Sequence, residues 1–435
     1  MGWQILGMLA VVTGIAVSIA LHEVGHLLPA KRFGVRVSDY AIGFGPSLFS
    51  RRFGETTYSL RAVPVGGYIR MIGMYPPAAQ SGRSGVFSRM AEEARQDALS
   101  EVLPSDKGRT FYEKPIAQRI AVMLGGPTMN LILAGLLFAV ALVGVGLPAA
   151  STTVDTVSPC TVSNANPRGL VAANGQCADG PSAAVRAGLK PGMTITAIDG
   201  IVVTDWQSLD AALTQAAKRN PTGTVTVRNA DGSSRTLNID FQVLTVDRYD
   251  ASGVPTGEKY QRAVMGVLMQ WQRQHLPVTI VPRVMWSMTT ASVHSLASFP
   301  RKIWDLGATL IHGGTRDPNG PVSVVGATRI GGEIAASSAD GWDKLVSLLM
   351  LLGSLNLFLF LFNLVPLLPL DGGHVSAAVW EVARNLLRRL RGHRANGPVD
   401  TARLLPLTYA MSTLLIAVGA LVIWADIVKP ITLGG

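Results

Sequence analysis

Charge is scarce in this sequence. Only 15% of its 435 residues are Asp, Glu, Lys or Arg, against 48% apolar. The apolar residues cluster into four runs, Trp3–Leu28, Ile120–Leu147, Val346–Leu370 and Leu404–Val428. Each can cross a hydrocarbon core of about 30 Å, which takes about 20 helical residues. No Lys or Arg precedes the first run, and no small-residue cleavage site ends it. It therefore reads as a retained helix, not a cleaved signal peptide. Cysteine is nearly absent, with only Cys160 and Cys177. Internal repeats and low-complexity tracts are missing altogether. The Gly-containing stretch RDPNGPVSVVGA at 316–327 is followed by no Gly-Lys-Ser/Thr, which argues against a phosphate loop.

Acidic residues are outnumbered 28 to 38, for a net charge of +10. The excess is uneven. Residues 29–117 carry 13 Lys/Arg against 8 Asp/Glu, and residues 374–403 carry 6 against 2. Residues 148–345 carry 17 against 15. Lys/Arg excess in the shorter loops marks them as cytoplasmic. The long balanced segment and both termini are then extracytoplasmic. The basic balance is thus a topology signal, with lipid headgroup contact besides, and direct nucleic-acid binding is not expected. Both cysteines fall in the outer segment, where a disulfide is permitted. A structural staple and two free thiols are the alternatives.

Between the first two runs, Val35–Met74 has short β-branched stretches punctuated by Gly43, Gly45, Pro46, Gly66 and Gly67. That pattern reads as hairpins, apolar enough to dip into the membrane face. Residues 76–114 read as a polar insertion with one helix near Ser88–Val102. Gly125, Gly126, Pro127 and Asn130 suggest a kink and a close helix approach in the second run. The outer segment is β-rich over 184–241, and residues 276–345 read as an amphipathic segment on the outer membrane surface.

The first run ends ALHEVGHLL at 20–28. Ionisable residues in such a setting are costly and mark function. His22 and His26 are four apart, so a helix stacks both imidazoles on one face. Two neutral imidazoles supply half of a tetrahedral zinc site, and Glu23 between them can act as the base toward a water at that metal. A catalytic zinc takes a third protein ligand and keeps one position open. Asp371 is the acidic residue at the inner end of the third run, at a depth matching His22, and is the expected ligand. His374 competes with it, and a turn role beside Gly372–Gly373 is its alternative. Asn363 and Pro366 are expected to shape a substrate cleft, against a plain interhelical hydrogen bond and a plain kink. Pro369 is a second helix breaker.

Together these residues resemble the site-two protease family of intramembrane zinc metalloproteases. HEVGH at 22–26 resembles its zinc motif and NLVPLLPLDGG at 363–373 its second motif, although the spacing of Pro369 departs from it. GFGP at 43–46 and VPVGGYIRM at 63–71 look like the family's re-entrant β-hairpin loop. FYEKP at 111–115 and GGPTMN at 125–130 resemble the approach to its second helix. SAAVRAGLKPGMTITAIDG at 182–200 resembles the core of a PDZ domain, with Met193 where bacterial members often carry an acidic residue. The likeness covers most of the chain and is nearest to the actinobacterial single-PDZ branch.

The resemblance implies a polytopic α-helical membrane protein: four transmembrane helices, a membrane re-entrant β-hairpin loop and an extracytoplasmic PDZ domain. The expected divisions are helix 1 with the zinc motif (1–28), the hairpin loop (29–75), a cytoplasmic insertion (76–117) and helix 2 (118–147). A PDZ-like domain (148–275), an amphipathic segment (276–345), helix 3 with the third zinc ligand (346–373), a cytoplasmic loop (374–403) and helix 4 (404–428) follow. It also implies Zn2+ as cofactor, the bacterial plasma membrane as location, and hydrolysis within the transmembrane helix of a single-pass substrate such as an anti-sigma factor. Gly66 and Gly67 of the hairpin would pair with the unwound substrate, an edge-addition mode. The PDZ ligand stays unnamed. Three rivals stand beside this reading: a zinc peptidase cutting loop peptides, a PDZ-bearing scaffold or chaperone without proteolysis, and a proton-coupled transporter using Glu23 and Asp371.

Overall fold

Apolar runs of this length satisfy their backbone polar groups internally by forming helices. In the computed structural model four helices among the described residues are long and apolar enough to cross a membrane: Gly2–Arg32, Ile116–Val145, Gly341–Asn363 and Thr401–Val428. The structure describes residues 1–77, 86–163, 166, 169–172, 175–219, 222–249, 255–394 and 397–431. The chain divides into two units, Met1–Val145 with Leu276–Gly435, and Gly146–His275.

In chain order the first unit opens with α1 (Gly2–Arg32), β1 (Val37–Phe53), β2 (Thr56–Met71), α2 (Val86–Ser100) and α3 (Ile116–Ala139), which runs on into a π-helical turn. The second unit holds β3 (Leu147–Val157), α4 (Ala183–Ala187), β4 (Thr194–Ile198), β5 (Ile201–Val202), α5 (Trp206–Arg219), β6 (Thr222–Arg228), β7 (Ser234–Asp240), β8 (Gln242–Tyr249), β9 (Pro255–Val264) and β10 (Val267–Gln274). The first unit then resumes with α6 (Ile280–Ala297), α7 (Phe299–His312), α8 (Val324–Ala336), α9 (Gly341–Asn363), α10 (Asp371–Leu390) and α11 (Leu405–Val428).

Small residues let the membrane helices touch at the backbone. A Cβ on Gly25 would lie 2.3 Å from the Gly125 carbonyl oxygen, and one on Gly125 2.0 Å from that of Gly25. Helices α1 and α3 therefore cross at this pair. Helix α9 is tied to α1 by Asn356, whose Nδ2 donates to Ser18 Oγ at 2.9 Å. The interhelical hydrogen bond weighed for Asn363 is thus made one and a half to two turns earlier, at a buried asparagine.

The sequence reading carries a single third helix through to Asp371. The structure ends α9 at Asn363 and starts α10 at Asp371. Pro366 and Pro369 explain the break, since neither can donate to a helix and each disfavours helical backbone in the residue before it. Much of the stretch 374–403, read as a loop, is helix α10. Residues 276–345, read as an amphipathic segment, are largely three helices, α6 to α8.

Strands β1 and β2 fold into more than a simple hairpin. Thr57 faces both Asp39 and Arg52, and Tyr40 faces both Tyr58 and Ile69. By register the segments lie in the order 49–53, 56–60, 37–42, 67–71. The bends fall at Gly43, Gly45 and Gly66, with φ of +88°, +84° and +88°, backbone that residues with a Cβ rarely adopt. At Gly43 there is also no room, because a Cβ would lie 2.5 Å from the Val63 oxygen. Segment 67–71 has β1 on one side and, among the described residues, no strand on the other.

The second unit has a sheet ordered β10-β3-β4-β6-β7, with β5 paired to β4, and a separate β8–β9 pair. Its core includes Val154, Ile195, Ile198, Leu209, Val225 and Val227. Ser182 caps α4 by accepting from the Val185 N–H. Cys160 and Cys177 are joined in a disulfide with their Cα atoms 5.2 Å apart.

Candidate metal centre

The inner third of α1 presents His22 and His26 toward α3, one turn apart as their spacing requires. Their Nε2 atoms lie 3.2 Å apart. Asp371 Oδ2 is 3.4 Å from each of them. One donor atom from each of the three residues thus falls within 4.8 Å of the others. Asp371 reaches this point because the first turn of α10 rests on the preceding backbone. A Cβ on Gly372 would sit 2.4 Å from the Val365 oxygen, and one on Gly373 2.6 Å from the Leu368 nitrogen. Only glycine fits at these two positions, which accounts for the sequence Asp-Gly-Gly.

The surroundings suit a metal ion. Asp371 Oδ2 is buried and has no hydrogen-bond partner, an expensive state for a carboxylate oxygen that a cation relieves. His26 Nδ1 lies 2.8 Å from the Val122 carbonyl oxygen. It donates there, which leaves the Nε2 lone pair free to ligate. Gly126 of α3 supplies the space. A Cβ there would come within 2.2 Å of His26 Nε2 and 2.7 Å of His22 Nε2. Two imidazoles and one carboxylate, with a fourth position left open, are a donor set that zinc takes in catalytic sites.

Glu23 lies beside this cluster and is buried, 8% exposed. The edge segment of β2 runs past it. A Cβ on Gly67 would lie 3.0 Å from Glu23 Cγ and 3.0 Å from Ile19 Cγ2. The backbone of β2 can approach this closely only because the position is glycine. Tyr40 of β1 fixes the sheet to α1 by donating its hydroxyl to the Ala20 carbonyl oxygen at 2.8 Å.

A model of peptidase family M50 matches residues 10–406, most of the chain. The chain belongs to peptidase family M50. It is similar to the zinc metalloprotease Rip1 of Mycobacterium tuberculosis, with 33% identity over 444 residues covering 99% of each chain. It is equally similar to the zinc metalloprotease Rip1 of Mycolicibacterium smegmatis, with 33% identity over 450 residues and 98% of each chain. This M50 peptidase is a zinc metalloendopeptidase of the site-two type, housed in a membrane by its apolar helices.

The structure places the other expected residues of the M50 peptidase less centrally. Asn363 is the last residue of α9, and Pro366 is exposed in the following turn. Neither belongs to the three-residue cluster. His374, the rival ligand, lines a small cavity with Met123 and Glu381 and also stands outside the cluster. Conversely, Asn130 of α3 is drawn in. Its side-chain amide nitrogen is 3.2 Å from His22 Nδ1, and its Oδ1 has no partner. With the amide turned so that Oδ1 faces Nδ1, it accepts that N–H and leaves His22 Nε2 free to ligate. Asn130 is 1% exposed. A buried amide in an apolar helix, one turn after Gly126, was the available signal.

Proposed function

We propose that this M50 peptidase hydrolyses peptide bonds within membrane-spanning helices, with His22, His26 and Asp371 holding the zinc and Glu23 serving as general base. The observation that carries this reading is the convergence of His22 and His26 of α1, beside Glu23, with Asp371 of α10 around Gly126 of α3, where α1 and α3 are two of the apolar helices. Bound zinc supplies a Lewis acid and lowers the pKa of water to about 7.

The protein's own groups do the rest. Glu23 takes the proton of the attacking water and returns it to the leaving amine, as a general base and then acid. Asn130 and the Val122 carbonyl hold the two imidazoles in the ligating tautomer. A substrate helix hides its carbonyls in internal bonds, so it unwinds to react. Segment 67–71 of β2 offers a strand edge next to Glu23 for the unwound chain, with Gly66 and Gly67 allowing close approach. Asn363 and Pro366 shape the mouth of the cleft.

On the charge pattern, the loops 29–117 and 374–403 face the cytoplasm, and the second unit and both termini lie outside. The second unit acts as a PDZ-type domain that governs access, and the β1–β2 sheet dips into the membrane as a re-entrant loop. The proposed substrate class is the single-pass anti-sigma factor.

The test is a cleavage assay in lipid vesicles with a single-pass anti-sigma factor whose outer domain has been removed. Wild type and Glu23→Gln are compared, and cuts are located by mass spectrometry. A cut inside the hydrophobic span by wild type alone supports the proposal. A cut confined to the flanking loops overturns the intramembrane reading. Equal cutting by Glu23→Gln overturns the role of Glu23.

A further inference from the structure

Helix α10 leaves the metal centre with one face covered and the other bare. On the covered face Glu381 is buried, accepts from Arg119 Nη2 of α3 at 2.7 Å, and accepts from the Val399 N–H at 3.0 Å. On the other face Val379, Trp380, Val382, Leu386, Leu387 and Leu390 are all exposed. At about 100° per residue they occupy a single arc roughly 160° wide.

Basic residues border that arc on both sides. Arg389 lies at one edge, and Arg384 and Arg391 lie at the other. Arg384 and Arg388 donate to the carbonyls of Gly397 and Arg394, which folds the following loop back onto the helix. Arg389 and Arg391 are exposed. Between Gly372 and Arg394 the only acidic residue is Glu381, and it is turned inward to Arg119.

The depth of α10 is fixed at its start. Asp371 opens the helix and lies 3.4 Å from His22 and His26, within membrane helix α1. Only residues 364–370 separate α9 from it. A 20-residue helix is about 30 Å long, so the exposed apolar arc begins within about 12 Å of a residue held at membrane depth.

We infer that α10 is an interfacial helix that docks on acidic phospholipid headgroups, with its apolar arc in the acyl boundary and Arg389 and Arg391 on the lipid phosphates. An apolar face bordered by arginine, with a tryptophan near its edge, is the pattern such helices use. Since the same helix begins with Asp371, lipid docking also holds the third ligand of the metal centre in place.

The chain offers a direct test. Both of its cysteines are in the disulfide, so an introduced cysteine is the one free thiol. Leu386→Cys is labelled with an environment-sensitive fluorophore in the full-length protein. The protein is reconstituted in phosphatidylcholine vesicles with or without roughly 30% phosphatidylglycerol, each carrying spin-labelled quencher lipid. Strong quenching with phosphatidylglycerol is expected. Each arginine at an anionic surface is worth about fivefold, so adding Arg389→Gln and Arg391→Gln lowers the docking equilibrium roughly 30-fold.

A label that stays quenched by aqueous iodide and untouched by the lipid quencher overturns the inference. So does protection that needs an added soluble protein, which would make the face a protein-docking site. Equal lipid quenching with and without phosphatidylglycerol, unchanged by the glutamine substitutions, overturns the assignment to acidic headgroups.

Discussion

Gly126→Ala tests the geometry of the metal centre at one atom. Ordinary van der Waals contact for a Cβ begins at 3.4 Å, whereas the new methyl would lie 2.2 Å from His26 Nε2. The shortfall is about 1.2 Å, on the side of the imidazoles that face Asp371. Helix α3 cannot retreat freely to relieve it. Its retreat would stretch the 2.8 Å bond from His26 Nδ1 to the Val122 oxygen, which holds the ligating tautomer. The imidazoles must therefore swing by about 1 Å, and a displacement of that size costs about 100-fold in rate. Zinc affinity should fall by on the order of 10–100-fold, as it does when ligand orientation is lost.

The assay is zinc bound per chain in detergent against graded chelator, alongside cleavage in vesicles. Gly419→Ala on α11 is the control, since a Cβ there meets nothing within 4 Å. If Gly126→Ala kept its zinc at the same chelator strength as the control and cleaved within about threefold of it, against the 100-fold expected, the arrangement argued here would be refuted.

Four further outcomes are expected. Asn130→Ala should lose zinc affinity by about 10–100-fold while its thermal melting stays near wild type; chelator competition measures the first and calorimetry the second. Arg316 and Asp426 form a buried ion pair at 2.6 Å that links the segment before α8 to α11, so Asp426→Ala should cost about 3–5 kcal/mol by stranding the guanidinium. The double variant with Arg316→Met should recover part of that stability in the same melting experiment. Replacing both Cys160 and Cys177 by serine opens a loop with a sequence separation of 17 and should cost the second unit about 3 kcal/mol, read by chemical denaturation. Burial pushes the Asp106 carboxyl up, but the Leu103 N–H and the Arg36 guanidinium more than offset it and hold it below the ordinary carboxylate range. Its stabilising effect is then present above the unfolded value near pH 4 and lost as pH falls through the lower folded value; Asp106→Asn should flatten that acid limb of a pH-stability curve.

How much of this was legible beforehand depended on whether the signal was local. The spacing of His22 and His26 and the apolar runs are one-dimensional facts that passed into structure as helices, except that the third run, Val346–Leu370, breaks after Asn363. Asp371 could be brought to the same depth by counting along helices. Its true setting, at the head of a new helix, needed the close packing of Gly372 and Gly373 on residues 364–368, which no periodicity reveals. Asn130 was hidden for a related reason. Its approach to His22 exists only because α1 and α3 cross at Gly25 and Gly125, and the register of two helices across a contact is not written in either one. Asn356 against Asn363 shows the same limit, since both suit a helix interior and only packing selects the one that meets Ser18.

The third donor follows the first two by most of the length of the chain, with an entire separate unit of the fold inserted between them. A polypeptide emerging from the ribosome therefore places His22 and His26 in the bilayer long before Asp371 exists. Until that last quarter of the chain is made, the nascent protein holds an incomplete cradle among its neighbours in the membrane. The order of synthesis thus leaves the unfinished chain with two of the three donors until residue 371 is made.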